Sequence, residues 1–162
     1  MDFYPTADLC DKYSDEVQIL EPMVFGDFGG KLEFSGPIST VKCFEDNSLV
    51  RAALEKPGQG RVLVVDGGGS DRCALMGDNV AQLLLDNDWA GAIIYGCIRD
   101  SAEIAEMDVA VKALATHPKK SNKQNIGEQD VPVRFGGVNF EPGHWLYADL
   151  DGVLVSAREL SL

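Results

Sequence analysis

The sequence predicts an α/β domain built on one central βαβ unit, with a β-rich C-terminal third. Three observations carry this. Arg61–Asp66 is an apolar run closed by an acid, the pattern of a strand buried on both faces. Residues 73–87 place Met76, Val80, Leu83, Leu84 and Asn87 three or four apart, the spacing of a helix. Trp89–Gly96 is a second buried strand, with Ala92-Ile93-Ile94-Tyr95 at its core. Strand, helix and strand in that order make a βαβ unit, whose crossover is right-handed by the general rule.

The flanking elements follow in chain order. Pro5 opens a short helix over Thr6–Tyr13, with Thr6 as its cap. Residues 17–21 are extended, and Gly26, Gly29 and Gly30 mark a loop. Ile38–Phe44 is rich in β-branched residues and predicts a strand. Asp46 and Asn47 then cap a helix over Ser48–Glu55, which Lys56-Pro57-Gly58-Gln59-Gly60 ends. Beyond the βαβ unit, Asp100 or Ser101 with Glu103 caps a short helix to Met107. Val109, Val111, Ala113 and Ala115 alternate as in a strand, and so do Val131, Val133 and Phe135. Residues 117–129 form a polar loop carrying Lys119, Lys120 and Lys123, predicted to be solvated. Gly136-Gly137 and Pro142-Gly143 are turns, His144–Ala148 is a strand, and Asp151-Gly152 is a hairpin turn into Val153–Val155. The sheet is expected to be mixed, or split in two, rather than regularly doubly wound.

The bulk properties bound the function. A chain of 162 residues predicts one domain, residues 1–162. No apolar run nears the ~18 residues needed to span a bilayer. Met1-Asp2-Phe3-Tyr4-Pro5 lacks the basic-then-apolar pattern of a signal peptide, so the expected compartment is the cytoplasm. The net charge of −12 repels nucleic-acid phosphates and anionic membranes, and neither is expected as a partner. It also repels small anions unless a local cation draws them in. The same charge suits a basic protein segment. Cys10, Cys43, Cys73 and Cys97 have no zinc spacing; the first three read as small buried hydrophobes, while Cys97 sits inside the stretch 95–100 with no histidine nearby in sequence to activate it. His117 and His144 have no partner that suggests a triad or a metal pair.

Topology brings two loops into question as a site. Parallel strands 61–66 and 91–96 end on one sheet edge, where ligands of open α/β sheets bind. Gly67-Gly68-Gly69-Ser70 and Cys97-Ile98-Arg99-Asp100 are therefore expected to open into one region. The glycine run is neither a dinucleotide fingerprint nor a Walker A loop, and an ordinary turn explains it as well. Arg99-Asp100 is sharper. Arginine holds a carboxylate through two parallel hydrogen bonds and stays charged. Aspartate is a hard oxygen ligand suited to Mg²⁺ or Mn²⁺, which keep several waters and take few protein carboxylates. Side by side they can seize a 2-oxo acid. On spacing alone, a surface salt bridge or a helix cap at Asp100 accounts for the pair equally well. Gly77 falls inside the expected helix, where glycine costs about 1 kcal/mol relative to alanine, which suggests close packing or a ligand's approach.

The ordered set of motifs resembles the RraA-like family. It comprises Asp8-Leu9-Cys10-Asp11, Lys42-Cys43-Phe44-Glu45-Asp46-Asn47, Val64-Val65-Asp66-Gly67-Gly68-Gly69-Ser70, Ala74-Leu75-Met76-Gly77-Asp78, Tyr95-Gly96-Cys97-Ile98-Arg99-Asp100 and Tyr147-Ala148-Asp149. The resemblance implies a compact α/β fold like the phosphohistidine swivelling domain (β/β/α), assembled as a ring-shaped homotrimer. It implies one of two functions. The first is a divalent-metal lyase, a 4-hydroxy-4-methyl-2-oxoglutarate aldolase with oxaloacetate decarboxylase activity. The alternative is a protein regulator that binds and inhibits ribonuclease E. The aldolase type is marked by an Arg-Asp pair followed by an acid, which Arg99, Asp100 and Glu103 match. By the same resemblance Asp100 holds the metal (Mg or Mn), Arg99 contacts substrate, and Gly77, Asp78, Asn79 and Val80 give backbone contacts to a small 2-oxo acid. Arg99 and Asp100 are thus the implied catalytic pair. Longer aldolases of the family add a C-terminal acid from a neighbouring subunit; no residue of this chain is assigned to that place.

Overall fold

A computed structural model describes residues 2–22 and 25–162. Helix α1 spans Thr6–Tyr13, followed by the short strands β1 (Gln18–Ile19) and β2 (Gly26–Asp27) and the long strand β3 (Phe34–Lys42). Helix α2 (Ser48–Leu54), strand β4 (Val62–Asp66), strand β5 (Ala74–Met76), helix α3 (Asp78–Asp86) and strand β6 (Gly91–Ile98) form the centre. Helix α4 (Ser101–Ala105) and strand β7 (Val111–Thr116) come next. The C-terminal strands are β8 (Glu128–Gln129), β9 (Val133–Phe135), β10 (Val138–Phe140), β11 (Trp145–Asp149) and β12 (Gly152–Ser156).

The main sheet is mixed, as the sequence predicts, and runs β1-β12-β11-β3-β4-β6-β7-β2. Strand β3 joins its two halves. Phe34–Pro37 pair antiparallel with β11, and Ile38–Lys42 pair parallel with β4. Strands β4, β6 and β7 continue in parallel, so the predicted βαβ unit is present.

Burial explains why β4 and β6 read as unbroken apolar runs. Leu63 and Val65 face one cluster, with Leu54, Met76, Leu84 and Ile104 from the helical side. Val62 and Val64 face a second, with Phe135, Phe140 and Leu146 from the β-rich side. Ile94 and Ile93 divide between the two clusters in the same way. Each such side chain, fully withdrawn from water, contributes roughly 1.5–3 kcal/mol. A third cluster of Leu9, Tyr147, Leu154 and Leu160 fastens α1 to the antiparallel end. Among the described residues no helix is long and apolar enough to cross a membrane.

Five expectations are corrected. The helix expected over 73–87 is a strand and a shorter helix: Ala74, Leu75 and Met76 are all buried and pair beside β6, and α3 starts only at Asp78. Gly77 therefore precedes the helix rather than interrupting it. Thr6 does not cap α1; Pro5 stands at that position, and Thr6 donates from its N–H and its hydroxyl to Asp149. Asp100 does not cap α4, as its carboxylate makes no bond there. The hairpin β9–β10, closed at Gly136-Gly137, adds a strand where only a turn was expected. At α2 the N-cap position is Asn47, whose side chain makes no cap bond; Asp46, one residue earlier, accepts from the Ser48 N–H and hydroxyl instead.

Candidate functional site

The site is made by the short strand β5. Strand β4 stops opposite Tyr95, and β5 takes its place beside the last residues of β6, from Cys97 to Ile98. Met76 pairs with Ile98, and its carbonyl accepts from the Arg99 N–H at 2.8 Å. The residues after β5 and the residues after β6 are thereby set side by side. Gly77, Asp78, Asn79 and Val80, Arg99 and Asp100, all expected at a site, line one cleft of about 90 Å³.

Gly77 is required by close approach. Its backbone is extended (φ −114°), which any residue adopts, but a Cβ there would lie 2.6 Å from Asp100 Oδ2. That oxygen accepts from the Asp78 N–H at 3.0 Å. Asp100 thus satisfies one of the unpaired donors at the N-terminus of α3, an end that carries partial positive charge. The N–H groups of Asn79 and Val80, in the same first turn, have no acceptor within the helix. Asp100 itself sits in the left-handed region, with φ 56° and ψ 41°. Aspartate tolerates that conformation better than most residues, but it is still strained, as backbone at functional sites often is. Its exposed position leaves Oδ1 free for a ligand.

Charge gathers in the same cleft. Arg99 is half-buried, and among the described residues no side chain or carbonyl accepts from its guanidinium. Lys120 and Lys123 also line the cleft, as does Arg51, which Glu55 pairs at 2.9 Å; among the described residues that line it, the acids are Asp78 and Asp100. In a chain of net charge −12, this is a local cationic patch of the kind a small anion needs.

Other expectations fare differently. The Gly67–Ser70 loop does not face Arg99 and Asp100, because β5 stands between them. Gly67 and Gly69 N–H both donate to the Tyr95 carbonyl at 3.1 Å, and Gly68 N–H donates to Asp66 Oδ1 at 2.9 Å. The loop is a structural turn. Glu103 is exposed on α4 and does not line the cleft. Burial pushes the thiols up, Cys43 to about 12, and Cys97 is raised for the same reason and by Asp71. Neither acts as a ready nucleophile. His117 Nδ1 only accepts from the Lys119 N–H. The residues that sequence reasoning missed are Asn47, Arg51, Lys120, Ser121 and Lys123. Their signal was weak, since Asn47 reads as a cap and the lysines as a solvated loop.

For a metal, the donor set is sparse. Among the described residues no group of three or more His, Cys, Asp or Glu side chains could hold one. One exposed aspartate with a free oxygen fits only a hard cation that keeps most of its waters, which is the habit of Mg²⁺.

Fold and site together define an α/β protein with a mixed sheet and a cation-rimmed cleft, suited to small oxyanions, at the carboxyl ends of parallel strands. The chain belongs to the RraA-like family (Aldolase/RraA), which matches residues 6–155. A protein of Alkalilimnicola ehrlichii named "Putative 4-hydroxy-4-methyl-2-oxoglutarate aldolase" is 60% identical over 156 residues, 96% of each chain. One of the same name from Halorhodospira halophila is 57% identical, covering 97% of this chain and 98% of its own. Among solved structures, the RNA-processing inhibitor RraA from Thermus thermophilis superposes with TM-score 0.94 at 46% identity, covering 99% of this chain and 96% of that one. A Geobacillus kaustophilus structure described as an S-adenosylmethionine:2-dimethylmenaquinone methyltransferase superposes with TM-score 0.95 at 55% identity, with 97% of each chain covered.

Proposed function

We propose that this chain is a divalent-metal-dependent lyase that cleaves 4-hydroxy-4-methyl-2-oxoglutarate and related 4-hydroxy-2-oxo acids to pyruvate. Decarboxylation of oxaloacetate is proposed as a second activity of the same site. The observation that carries the reading is the placement of Asp100. Its carboxylate is anchored to the α3 N-terminus against Gly77, beside an Arg99 guanidinium with no partner among the described residues. The naming of relatives at 55–60% identity supports the same class of reaction.

Asp100 would hold an Mg²⁺ or Mn²⁺ ion through its free oxygen. Such an ion supplies Lewis-acid stabilisation of negative charge on a 2-oxo acid. Arg99 binds the substrate carboxylate or the enolate oxygen and stays charged throughout. The open N–H groups of Asn79 and Val80 orient an oxygen of the substrate at the helix N-terminus. Cleavage breaks the C3–C4 bond as the C4 hydroxyl loses its proton. The electron pair passes to the pyruvate enolate, which is then protonated at C3. Loss of CO2 from oxaloacetate leaves the same enolate, so one set of donors serves both reactions. The homotrimer belongs to this reading, and sedimentation would find about three times the chain mass of 17.5 kDa.

Pyruvate release with Mg²⁺, with EDTA and from Asp100→Ala tests the proposal. EDTA and the variant should each lower release by roughly a hundredfold or more, the usual scale for losing a main electrostatic contact in catalysis. Equal release in all three would overturn it.

A second reading is supported by the likeness to the RNA-processing inhibitor from Thermus thermophilis and by the −12 charge. In it the chain binds a basic segment of ribonuclease E. Capture of that ribonuclease at low salt that survives Arg99→Ala and Asp100→Ala would place this role on a different surface. Absence of binding at low salt would dismiss it.

A further inference from the structure

The polar segment 119–126 has the composition of a solvated loop, yet it is tied down along its length. Ala74 N–H donates to the Lys119 carbonyl at 2.8 Å, and Ala74 bridges Lys120 in parallel. The Ser121 hydroxyl donates to Asn47 Oδ1 at 2.8 Å and accepts from the Asn47 N–H at 3.1 Å. Asn47 in turn donates to the Leu75 carbonyl at 3.0 Å. Asn122 N–H donates to the Glu45 carbonyl, and the Gln124 and Ile126 N–H groups donate to Asp46 Oδ2. Ser121, Asn47 and Asp46 are all buried. The segment is therefore a fixed strap and not a mobile loop. It carries Lys120 and Lys123 into the cleft lining. Among the described residues, neither ammonium group has a carboxylate partner or a hydrogen bond.

The position of the strap decides what these lysines can touch. Ala74 of β5 is paired on one side with Cys97 of β6 and on the other with Lys120. Arg99 follows β6 beside Met76, whereas Lys120 is bridged to Ala74 at the start of β5, so the two lie on opposite sides of β5 and are offset along it by about two residues. Two strand spacings combined with that offset put their backbones roughly 11–12 Å apart. A diacid of four or five carbons bridges such a gap with the reach of the side chains. A three-carbon monoacid held at Arg99 does not.

We infer that Lys120 and Lys123 form a distal carboxylate subsite, which selects 2-oxo acids bearing a second carboxylate over pyruvate-like monoacids. The inference rests on the lyase reading for the identity of the substrate but not for the binding preference itself. Buried Ser121 and Asn47 are positioning residues that keep the strap in place.

Binding by the intact protein in Mg²⁺ separates the possibilities. The probes are 2-oxoglutarate, which has the second carboxylate but no 4-hydroxyl to cleave, and pyruvate. Both are titrated by NMR against wild type, Lys120→Gln, Lys123→Gln and the double variant. Each single change should weaken 2-oxoglutarate by about threefold to fivefold, the scale of one exposed charge pair. The double change should weaken it by about tenfold or more if the sites add. Pyruvate affinity should stay within about twofold. The Lys120→Arg, Lys123→Arg protein should recover the preference, because the charge is restored. Ser121→Ala, with both lysines intact, should lose part of the preference. The inference is overturned if wild type binds 2-oxoglutarate no better than pyruvate. It is equally overturned if the double glutamine variant weakens both probes alike, or neither. Should wild type release no pyruvate from any 4-hydroxy-2-oxo acid, the lyase reading fails while these titrations still decide the subsite.

Discussion

Two glycine-bearing turns follow β4 and β5, the two strands that pair with successive stretches of β6, and only one turn belongs to the cleft. The Gly67–Ser70 turn has three consecutive glycines and the stronger look of a ligand loop. Its N–H groups are all used within the protein, by the Tyr95 and Gly67 carbonyls and by Asp66. The turn at Gly77 has a single glycine. There one N–H is taken by Asp100, and among the described residues nothing accepts from the next two or from the arginine beside them. The destination of the backbone donors, and not the number of glycines, separates a structural turn from a binding one.

Substitution at the two turns should therefore fail in opposite ways. Gly77→Ala puts a Cβ 2.6 Å from Asp100 Oδ2, the end of a side chain on the surface that can swing away. The protein should fold with little change in melting temperature. Displacement of the carboxylate should lower kcat by about tenfold to a hundredfold, as misplaced catalytic groups commonly do. Full activity in a folded Gly77→Ala protein would show that Asp100 need not stay where it is. Gly67→Ala is the converse. Its Cβ would meet Leu75 Cδ1 at 2.5 Å and the Tyr95 carbonyl oxygen at 2.7 Å, inside packed structure. Overpacking of this kind costs roughly 1–3 kcal/mol, visible as a lower urea midpoint. Activity per folded molecule should be unchanged, and a selective loss of activity would return that turn to the site.

These two turns also mark where the sequence was legible. Strands β4 and β6 could be read because both faces are buried, so their interior residues form nearly unbroken apolar runs. The Arg99-Asp100 pair could be read because its chemistry is local to two neighbouring residues. Strand β5 could not. Ala74-Leu75-Met76 continues into Val80 and Leu84 with helical spacing, and only its pairing with Cys97 and Ile98 makes it a strand. That one misreading placed Gly77 within a helix and set the wrong loop opposite Arg99. The strap was hidden for a related reason: Lys119–Asn125 is polar, and what fixes it is a set of hydrogen bonds to Asn47, Asp46 and β5, far away in sequence.

Asp46 offers the finest test of the same contrast, because it too collects backbone donors, but in a buried setting. Burial alone would raise its carboxyl, yet the hydrogen bonds from Ser48, Gln124 and Ile126 outweigh burial and hold it below the ordinary value of 3.8. A carboxyl depressed in the folded protein stabilises it above the unfolded value, and that contribution disappears as pH falls through the folded value. Asp149, depressed by the donors of Thr6, Asp151 and Gly152 against its own burial, acts in the same direction. Wild type should thus lose stability in acid below about pH 4. Asp46→Asn keeps one acceptor but turns an amide towards the strap's N–H groups, costing about 1 kcal/mol at neutral pH. Its stability should fall less steeply in acid than that of wild type, while Asp149 preserves part of the slope. Urea midpoints measured from pH 7 down through the carboxyl range would show the two curves converging. Parallel curves would mean that Asp46 does not tie the strap through its charge, and that the lysines over the cleft are held by Ser121 and Asn47 alone.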